Sequence, residues 1–171
     1  MKDALSRSKT GCSRAIRSLV SFLAVGLLLA ACGSEPPTEE TNELNVSYVI
    51  DGDTIAVERN GFEERVRLLG IDAPEVARDG QTGEPCADEA TKLTEQLIAG
   101  EPVAVILDKT QDATDRYGRT LAYVEASGRD VSAELLSAGL AEVYYSAPEI
   151  ERYDDYRALA AQAPRPSCAD Q

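Results

Sequence analysis

Two tight-turn signals near residues 51 and 60 constrain the fold more than any other feature of the sequence. The first is Asp51-Gly52-Asp53 and the second is Asn60-Gly61, and both consist of residue types that hairpin turns favour. They separate three short runs that are rich in β-branched and other apolar residues: residues 46–50, 54–57 and 65–71. Because hairpin turns join neighbouring antiparallel strands, the sequence predicts a three-stranded meander here.

The rest of the chain alternates between helical and strand-like patterns. Apolar residues recur at helical spacing from Cys86 to Ile98, and Gly100 ends that run. Further elements follow: predicted strands at 102–107 and 120–125, and predicted helices at 131–138 and 149–163 with a short strand between them. Five principal strands with a helix after the third predict an α+β, mainly β fold, namely a five-stranded Greek-key OB-fold barrel with three helices. Such a barrel hosts many functions, so particular side chains have to identify the function.

A basic and then apolar segment occupies the first 31 residues. Five Lys and Arg residues precede an apolar run from Leu19 to Ala31, which is too short to span a bilayer and is typical of a secretory signal peptide. Residues 29–34, Leu-Ala-Ala-Cys-Gly-Ser, resemble the bacterial lipobox, where the chain is cut just before a cysteine that receives a lipid. We therefore expect a signal peptide at 1–31, lipid on Cys32 and an extracytoplasmic protein anchored to the bacterial cell membrane. The alternative is plain secretion with an incidental cysteine.

An acidic stretch follows the lipobox. Residues 35–45 contain two prolines and four glutamates with few apolar side chains, so residues 32–45 are predicted to be a flexible acidic tether. A folded domain is then expected at 46–171. Without residues 1–31 the chain keeps 12 basic and 29 acidic residues, a net charge of −17 against −13 for the whole sequence. This charge opposes nucleic-acid binding, which normally gains from a basic surface.

The chain has four cysteines, and their positions limit which disulfides can form. Cys12 lies in the predicted signal peptide and Cys32 is assigned to the lipid, which leaves Cys86 and Cys168 as a pair in an oxidising compartment. We expect a disulfide between them, and the chain-entropy model assigns so long a loop at most about 4–5 kcal/mol of stabilisation. Two free thiols are the alternative.

The chain contains no histidine. Mechanisms that use imidazole as a base or as a zinc ligand are therefore excluded, and the remaining hard-acid chemistry is oxygen ligation of Ca²⁺ or Mg²⁺. The candidate ligands are the carboxylates at predicted strand ends: Asp51, Asp53, Asp72 and Glu75. The simpler interpretation is that Asp51 and Asp53 form a turn, and that Asp72 and Glu75 flank Pro74 in an exposed strand-exit turn.

Arginines accompany two of the predicted strands. Strand alternation places Arg67 on the face opposite its apolar neighbours, where a guanidinium beside carboxylates can bind a phosphate through two hydrogen bonds. It could equally be a surface ion-pair partner of Glu63 or Glu64. A guanidinium next to an aromatic ring is suited to hold a nucleotide. Such a group lies on the loop before the strand at 120–125: Arg116, Tyr117 and Arg119.

Four segments together resemble the staphylococcal nuclease, or thermonuclease, family. They occur in the family's order and spacing across about residues 46–163: Val49-Ile-Asp-Gly-Asp-Thr54, Arg67-Leu-Leu-Gly-Ile-Asp-Ala-Pro-Glu75, Asp115-Arg-Tyr-Gly-Arg-Thr-Leu-Ala-Tyr123 and Gly139-Leu-Ala141. One such segment would be weak support, whereas four in series over a matching order of strands and helices are specific. The resemblance implies a calcium-dependent endonuclease that hydrolyses phosphodiester bonds of DNA or RNA. We expect it to act as a monomer.

The resemblance also implies a role for each matching residue. Asp53 and Asp72 would be carboxylate ligands of one Ca²⁺, with the backbone carbonyl of Ala73 as a further ligand. Glu75 would orient or deprotonate the attacking water. A cation and two guanidiniums would neutralise the charge that grows on the phosphate oxygens during cleavage. The substrate contacts would come from five residues: Arg67 and Arg119 at the scissile phosphate, and Arg116, Tyr117 and Tyr145 at the nucleotide.

Two departures from the family bear on substrate affinity. Ala147 stands where the family's last base-contacting tyrosine falls, and residues 78–84 replace a lysine-rich loop. We therefore expect weak binding of nucleic acid. The competing interpretation is a non-catalytic, lipid-anchored OB domain that binds nucleic acid, sugar or a protein partner. That interpretation does not require the predicted catalytic side chains to converge, whereas catalysis does.

Overall fold

The predicted meander, and the helix that follows it, are present in the computed structural model, which describes residues 43–144 and 149–170. The elements in chain order are strands β1 (Glu43–Asp51), β2 (Thr54–Arg59), β3 (Phe62–Leu68) and β4 (Ile71–Asp72), helix α1 (Ala87–Ile98), strands β5 (Val103–Ile106), β6 (Thr120–Ala126) and β7 (Arg129–Asp130), helix α2 (Val131–Ser137), strand β8 (Glu142–Val143), helix α3 (Tyr153–Ala160) and a 3₁₀ helix (Ser167–Asp170).

A closed barrel of five strands forms the centre of this fold. β1 pairs with β2 and β5, β2 pairs with β3, and β5 pairs with β6, all antiparallel. The parallel pairing of β3 with β6 closes the barrel, with Val66 opposite Thr120. β7 extends the sheet beside β6, and β4 pairs with β8 outside the barrel. With the three α-helices of the described residues, this architecture confirms the predicted OB-type fold.

Apolar side chains fill the barrel interior. Ile55 and Val57 on β2, and Val66 and Leu68 on β3, are fully buried because the strand repeat turns them to the same side of the sheet. Each full burial of a side chain of this size contributes about 1.5–3 kcal/mol. The strands that carry the candidate site residues are therefore held by a common core.

The first strand starts earlier than the sequence predicts. We expected a strand at 46–50 after a tether that ends at residue 45, whereas β1 begins at Glu43. Glu43 and Leu44 pair with Ala104 and Val103 of β5, a long-range partner that local composition does not reveal. Residues 43–45 therefore belong to the folded domain. The predicted signal peptide, Cys32 and residues 32–42 of the tether lie outside the described residues.

The third strand is interrupted where the sequence predicts one continuous run, 65–71. β3 ends at Leu68, and Gly70 has a φ of +83°, which favours glycine. A Cβ at Gly70 would lie 2.3 Å from the Ile150 side chain, so the backbone there is also closely packed. The chain then re-enters a separate pairing, in which Tyr144 donates its amide hydrogen to the Gly70 carbonyl. The interruption turns Asp72 out of the barrel sheet.

Helix α3 is shorter than the predicted helix at 149–163. The amides of Glu151 and Arg152 donate hydrogen bonds to the Asp108 carboxylate and to the Tyr123 hydroxyl. These side chains hold residues 149–152 in a turn, so the helix begins only at Tyr153.

A disulfide joins Cys86 and Cys168, with their Cα atoms 5.1 Å apart. It ties the 3₁₀ helix to the residue before α1. In residues 43–144 and 149–170, no helix combines the length and the apolar character that crossing a membrane requires.

Candidate active site

The turn between β1 and β2 is packed so that it places Asp53 in the protein interior. A Cβ at Gly52 would lie 2.8 Å from the Cβ atoms of both Ala73 and Ala90, so only glycine fits there without a shift. The Thr94 hydroxyl on α1 donates a hydrogen bond of 2.7 Å to the Gly52 carbonyl. As a result, Asp53 is only 2% exposed. The Asp-Gly-Asp sequence therefore does more than form a turn.

Asp53 contacts residues on both sides of the break that follows β3. Its Oδ2 accepts a hydrogen bond of 2.7 Å from the Ala73 amide and lies 3.0 Å from Arg67 Nη2. The same Arg67 nitrogen lies 2.8 Å from Asp72 Oδ1. One guanidinium nitrogen therefore joins the two carboxylates that the sequence predicts as metal ligands.

Arg67 is held by the break in the strand. Its Nη1 donates hydrogen bonds of 3.0 Å to the Leu68 carbonyl and 2.8 Å to the Ile71 carbonyl. Both carbonyls point to the guanidinium because the chain curls back after Leu68. The alternative ion pair with Glu63 or Glu64 does not form: Glu64 binds Arg59 and Glu63 accepts a hydrogen bond from Tyr48.

Negative charge exceeds positive charge around Asp53. The pKa of Asp53 is raised to about 7, chiefly by burial and in smaller part by the neighbouring Asp51, although Arg67 and the Ala73 amide oppose the rise. Arg78 pairs with Asp51 at 2.8 Å. A carboxylate with such a raised pKa, despite a guanidinium at 3.0 Å, lies in a site that would be stabilised by a further cation.

Glu75 faces the same cleft as Arg67. Burial raises the pKa of the Glu75 carboxyl, and Asp51 adds to the rise, while Arg78 and Arg67 lower it. A higher pKa makes a carboxylate a better proton acceptor near neutral pH. Asp72 lines this cleft together with Glu75 and Arg67.

The loop before β6 presents a second guanidinium group. Asp115 organises this loop, because its carboxylate accepts hydrogen bonds from the amides of Tyr117 and Arg119 at 2.9 and 3.0 Å and from Arg119 Nε at 2.7 Å. The Tyr117 ring is 69% exposed, with the Arg116 and Arg119 guanidiniums 4.7 and 5.6 Å from its centre. An exposed ring beside two cations is suited to stack on a base and to hold phosphate.

Residues from the segment around Arg67 and from the loop before β6 line one cleft of about 530 Å³. Six of the predicted site residues line it: Arg67, Asp72, Glu75, Arg116, Tyr117 and Arg119. An adjoining cleft of about 620 Å³ shares Glu75, Tyr117 and Arg119 and continues toward Glu63, Glu64 and Arg65. The structure therefore brings the predicted catalytic side chains to one surface.

Sequence reasoning missed several residues of this cleft. Gln111 and Tyr144 line it, and Asp115 fixes its loop, but none was singled out as a site residue. Tyr144 adjoins the predicted Tyr145 in a Tyr-Tyr pair, which is the one local signal that could have indicated it. Tyr145 and Ala147 lie outside the described residues.

Only two of the three predicted metal ligands are side chains. Within residues 43–144 and 149–170, no three His, Cys, Asp or Glu side chains converge to hold a metal ion. The predicted set contains two side chains, Asp53 and Asp72, and the Ala73 carbonyl. Both carboxylates lie within 3.0 Å of one Arg67 nitrogen, and carboxylate and carbonyl oxygens are the donors that Ca²⁺ prefers.

Comparisons with known proteins identify the family. The chain matches the family described as staphylococcal nuclease homologue over residues 65–166. It is 36% identical over 118 residues to the thermonuclease of Staphylococcus intermedius, covering 69% of this chain and 67% of that protein. It is 30% identical over 144 residues to the thermonuclease of Staphylococcus hyicus, covering 84% and 83%. It is also 38% identical over 115 residues to the endonuclease YncB of Bacillus subtilis (strain 168), covering 67% of this chain and 54% of that protein. Since the match spans more than half of the chain, the chain belongs to the staphylococcal nuclease homologue family.

Proposed function

We propose that this chain is a calcium-dependent nuclease that hydrolyses phosphodiester bonds of DNA, RNA or both. The observation that carries the proposal is the single cleft lined by Arg67, Asp72, Glu75 and Arg119, with Asp53 bonded to Arg67 beneath it. The relatives named thermonuclease and endonuclease support the same chemistry. A binding module would not need two guanidiniums and a raised-pKa carboxylate on one surface.

Asp53 and Asp72, with the Ala73 carbonyl, are the residues that would hold the ion. Their oxygens suit Ca²⁺, and the raised pKa of buried Asp53 indicates that the site would be stabilised by added positive charge. When bound, the ion would supply charge neutralisation at the phosphate.

Glu75 is the residue that we assign to the water. A carboxylate in the cleft can orient a water toward the phosphorus and accept its proton, and its raised pKa favours that acceptance. General-base catalysis of this kind contributes about 10²–10⁴-fold. The remaining acceleration would come from positioning and from stabilisation of charge.

Arg67 and Arg119 are assigned to the scissile phosphate. Arg67 is oriented by its carbonyl contacts, and Arg119 is oriented by Asp115, which binds the Arg119 amide and, in the guanidinium, only Nε. Within the described residues, no hydrogen bond or ion pair engages the Nη atoms of Arg119, which are left to face a phosphate. Guanidiniums fixed before the substrate arrives need little reorganisation as charge develops.

The nucleotide contacts are assigned to Tyr117 and Arg116, with Tyr145 as a further sequence-based assignment. Stacking on an exposed ring tolerates any base, so we expect the enzyme to cleave with little preference for nucleotide sequence. The chain carries a net charge of −13, which repels a polyanionic substrate and should keep affinity low.

We also propose that the protein is a monomer held outside the cytoplasm by lipid on Cys32. The support is the basic and apolar leader with its lipobox-like residues 29–34. Feeding labelled palmitate to bacteria that express the full chain should label it and place it in the membrane fraction, whereas Cys32→Ala should abolish both. Equal labelling of the variant would refute the anchor. Light scattering on the purified protein tests the monomer.

The nuclease proposal is tested by release of acid-soluble nucleotides from denatured DNA, with Ca²⁺ and with chelator. Release should require Ca²⁺ and should fall sharply in Arg119→Ala, because a phosphate-binding guanidinium is lost. Arg129→Ala is the matched control, since Arg129 is exposed on β7 and does not line the cleft. No release by a folded wild-type chain at low salt would instead support a non-catalytic OB module.

A further inference from the structure

The segment from Glu75 to Glu84 is closed at its base by two reciprocal hydrogen bonds. The Glu75 amide donates to Glu84 Oε2 at 2.9 Å, and the Glu84 amide donates to the Glu75 carbonyl at 2.9 Å. The first of these bonds uses a charged acceptor and is therefore of the stronger kind. Both polar groups of the Glu75 backbone are thus fixed by one residue.

We propose that Glu84 is a positioning residue for Glu75, and that it sets the place from which the Glu75 carboxylate acts on water. This proposal rests on the proposed nuclease function of Glu75. Glu84 itself does not line the cleft with Arg67 and Arg119, so its effect has to pass through Glu75.

The backbone contact is important because the Glu75 side chain has few contacts of its own to fix its position. Within the described residues, the Glu75 carboxylate makes no hydrogen bond and no ion pair. Its position therefore depends on where the backbone of residue 75 is held. A displacement of about 1 Å at a reacting group can lower a rate by about 10²-fold, so this backbone contact bears on catalysis.

The Glu84 side of the contact is closely packed and is connected to α1 and the disulfide. A Cβ at Gly83 would lie 2.9 Å from the Ala77 nitrogen, so the end of the loop packs directly on its start. Two residues after Glu84, Cys86 is joined to Cys168, and its carbonyl accepts the first hydrogen bond of α1, from Ala90. Glu84 therefore transmits the fixed position of the helix and the disulfide to Glu75.

The middle of the loop at 75–84 is held against the end of β1, close in sequence to the predicted metal ligand Asp53. Arg78 donates hydrogen bonds of 2.8 Å to the Ile50 carbonyl and to the Asp51 carboxylate. This contact holds the loop tip against β1, but it lies three residues beyond Glu75. The direct contact with the Glu75 amide comes from Glu84, which makes Glu84 the residue to test.

The test compares Glu84→Ala, Glu84→Gln and the control Glu95→Ala, a change of the same charge on the exposed face of α1. We expect Glu84→Ala to lower kcat on denatured DNA about tenfold or more at unchanged KM, since the catalytic group is displaced and substrate binding is not. Glutamine keeps an oxygen that can accept the Glu75 amide, so Glu84→Gln should restore most of kcat. Hydrogen exchange of the Glu75 amide should be faster in Glu84→Ala than in either other variant.

Two results would overturn the proposal. One is a wild-type kcat in Glu84→Ala, and the other is a loss in Glu84→Gln as large as in Glu84→Ala. Unfolding free energies measured beside the Glu95→Ala control identify any loss that comes from general destabilisation. If the wild-type chain hydrolyses nothing, the proposed function fails, and the exchange of the Glu75 amide still decides the positioning: unchanged protection in Glu84→Ala refutes it.

Discussion

Replacing Arg67 by alanine should destabilise the protein as well as inactivate it. Arg67 is the guanidinium at 3.0 Å from buried Asp53, whose side chain is 3% exposed. Removing one partner of a buried ion pair costs about 3–5 kcal/mol, because the other charge remains unpaired. Asp53 keeps its hydrogen bonds from the Ala73 amide and the Thr54 hydroxyl, and it can bind a proton, so the lower end applies. The contact with Asp72, a side chain that is 62% exposed, adds little.

We therefore expect Arg67→Ala to lower the free energy of unfolding by about 3 kcal/mol at neutral pH. Urea unfolding followed by far-UV circular dichroism measures this, since the chain has no tryptophan to report. Arg65→Ala is the matched control, because Arg65 is an exposed arginine two residues away on the same strand, and it should cost no more than about 0.5 kcal/mol. A difference below about 1 kcal/mol between the two variants would refute the claim that Arg67 compensates a buried charge.

Three further outcomes are expected from other parts of the structure. Burial raises the pKa of Asp108, but hydrogen bonds from Thr110, Tyr123 and the Glu151 amide outweigh it and lower the pKa from 3.8 to about 2. Because the pKa of Asp108 is lower in the folded protein, its stabilising effect is present above pH 3.8 and is lost as the pH falls toward 2. In urea unfolding, Asp108→Asn should therefore be about 2 kcal/mol less stable than the wild type at neutral pH, and this difference should shrink in acid. Tyr117→Ala should raise KM about tenfold in steady-state assays with no change in unfolding free energy, because the ring is exposed and stacking is its proposed role; an unchanged KM would remove Tyr117 from the substrate site. Gly70→Ala should cost about 2 kcal/mol or more in the same unfolding assay, since φ is +83° and a Cβ would contact Ile150, and a neutral effect would contradict the close packing described for this turn.

Features that depend on neighbouring residues were predictable from the sequence. The turn signals at 51–53 and 60–61 give the meander, because hairpin geometry is decided by the residues of the turn itself. Arg67, Glu75 and Arg119 were found through segments whose spacing resembles a known family, and the structure places them along one cleft. Helix α1 was placed correctly to within one residue because its apolar spacing and Gly100 are local signals.

Features that depend on distant contacts were not predictable. The start of β1 at Glu43 depends on pairing with β5, and the late start of α3 depends on Asp108 and Tyr123, which lie far away in sequence. The break after Leu68 depends on the β4–β8 pairing. The contact of Glu84 with the Glu75 amide joins residues nine positions apart, and nothing in the local sequence of this loop indicates it.

The hydrolysis rate of Glu75→Gln tests the account most directly. Glutamine keeps the size of the side chain and removes its ability to take a proton, so the fold and the clefts should be unchanged. With denatured DNA and Ca²⁺, we predict a kcat about 10²–10⁴-fold below that of the wild-type chain. A variant as fast as the wild type would show that Glu75 does not act on the attacking water, and would contradict the assignment of this cleft as the catalytic centre.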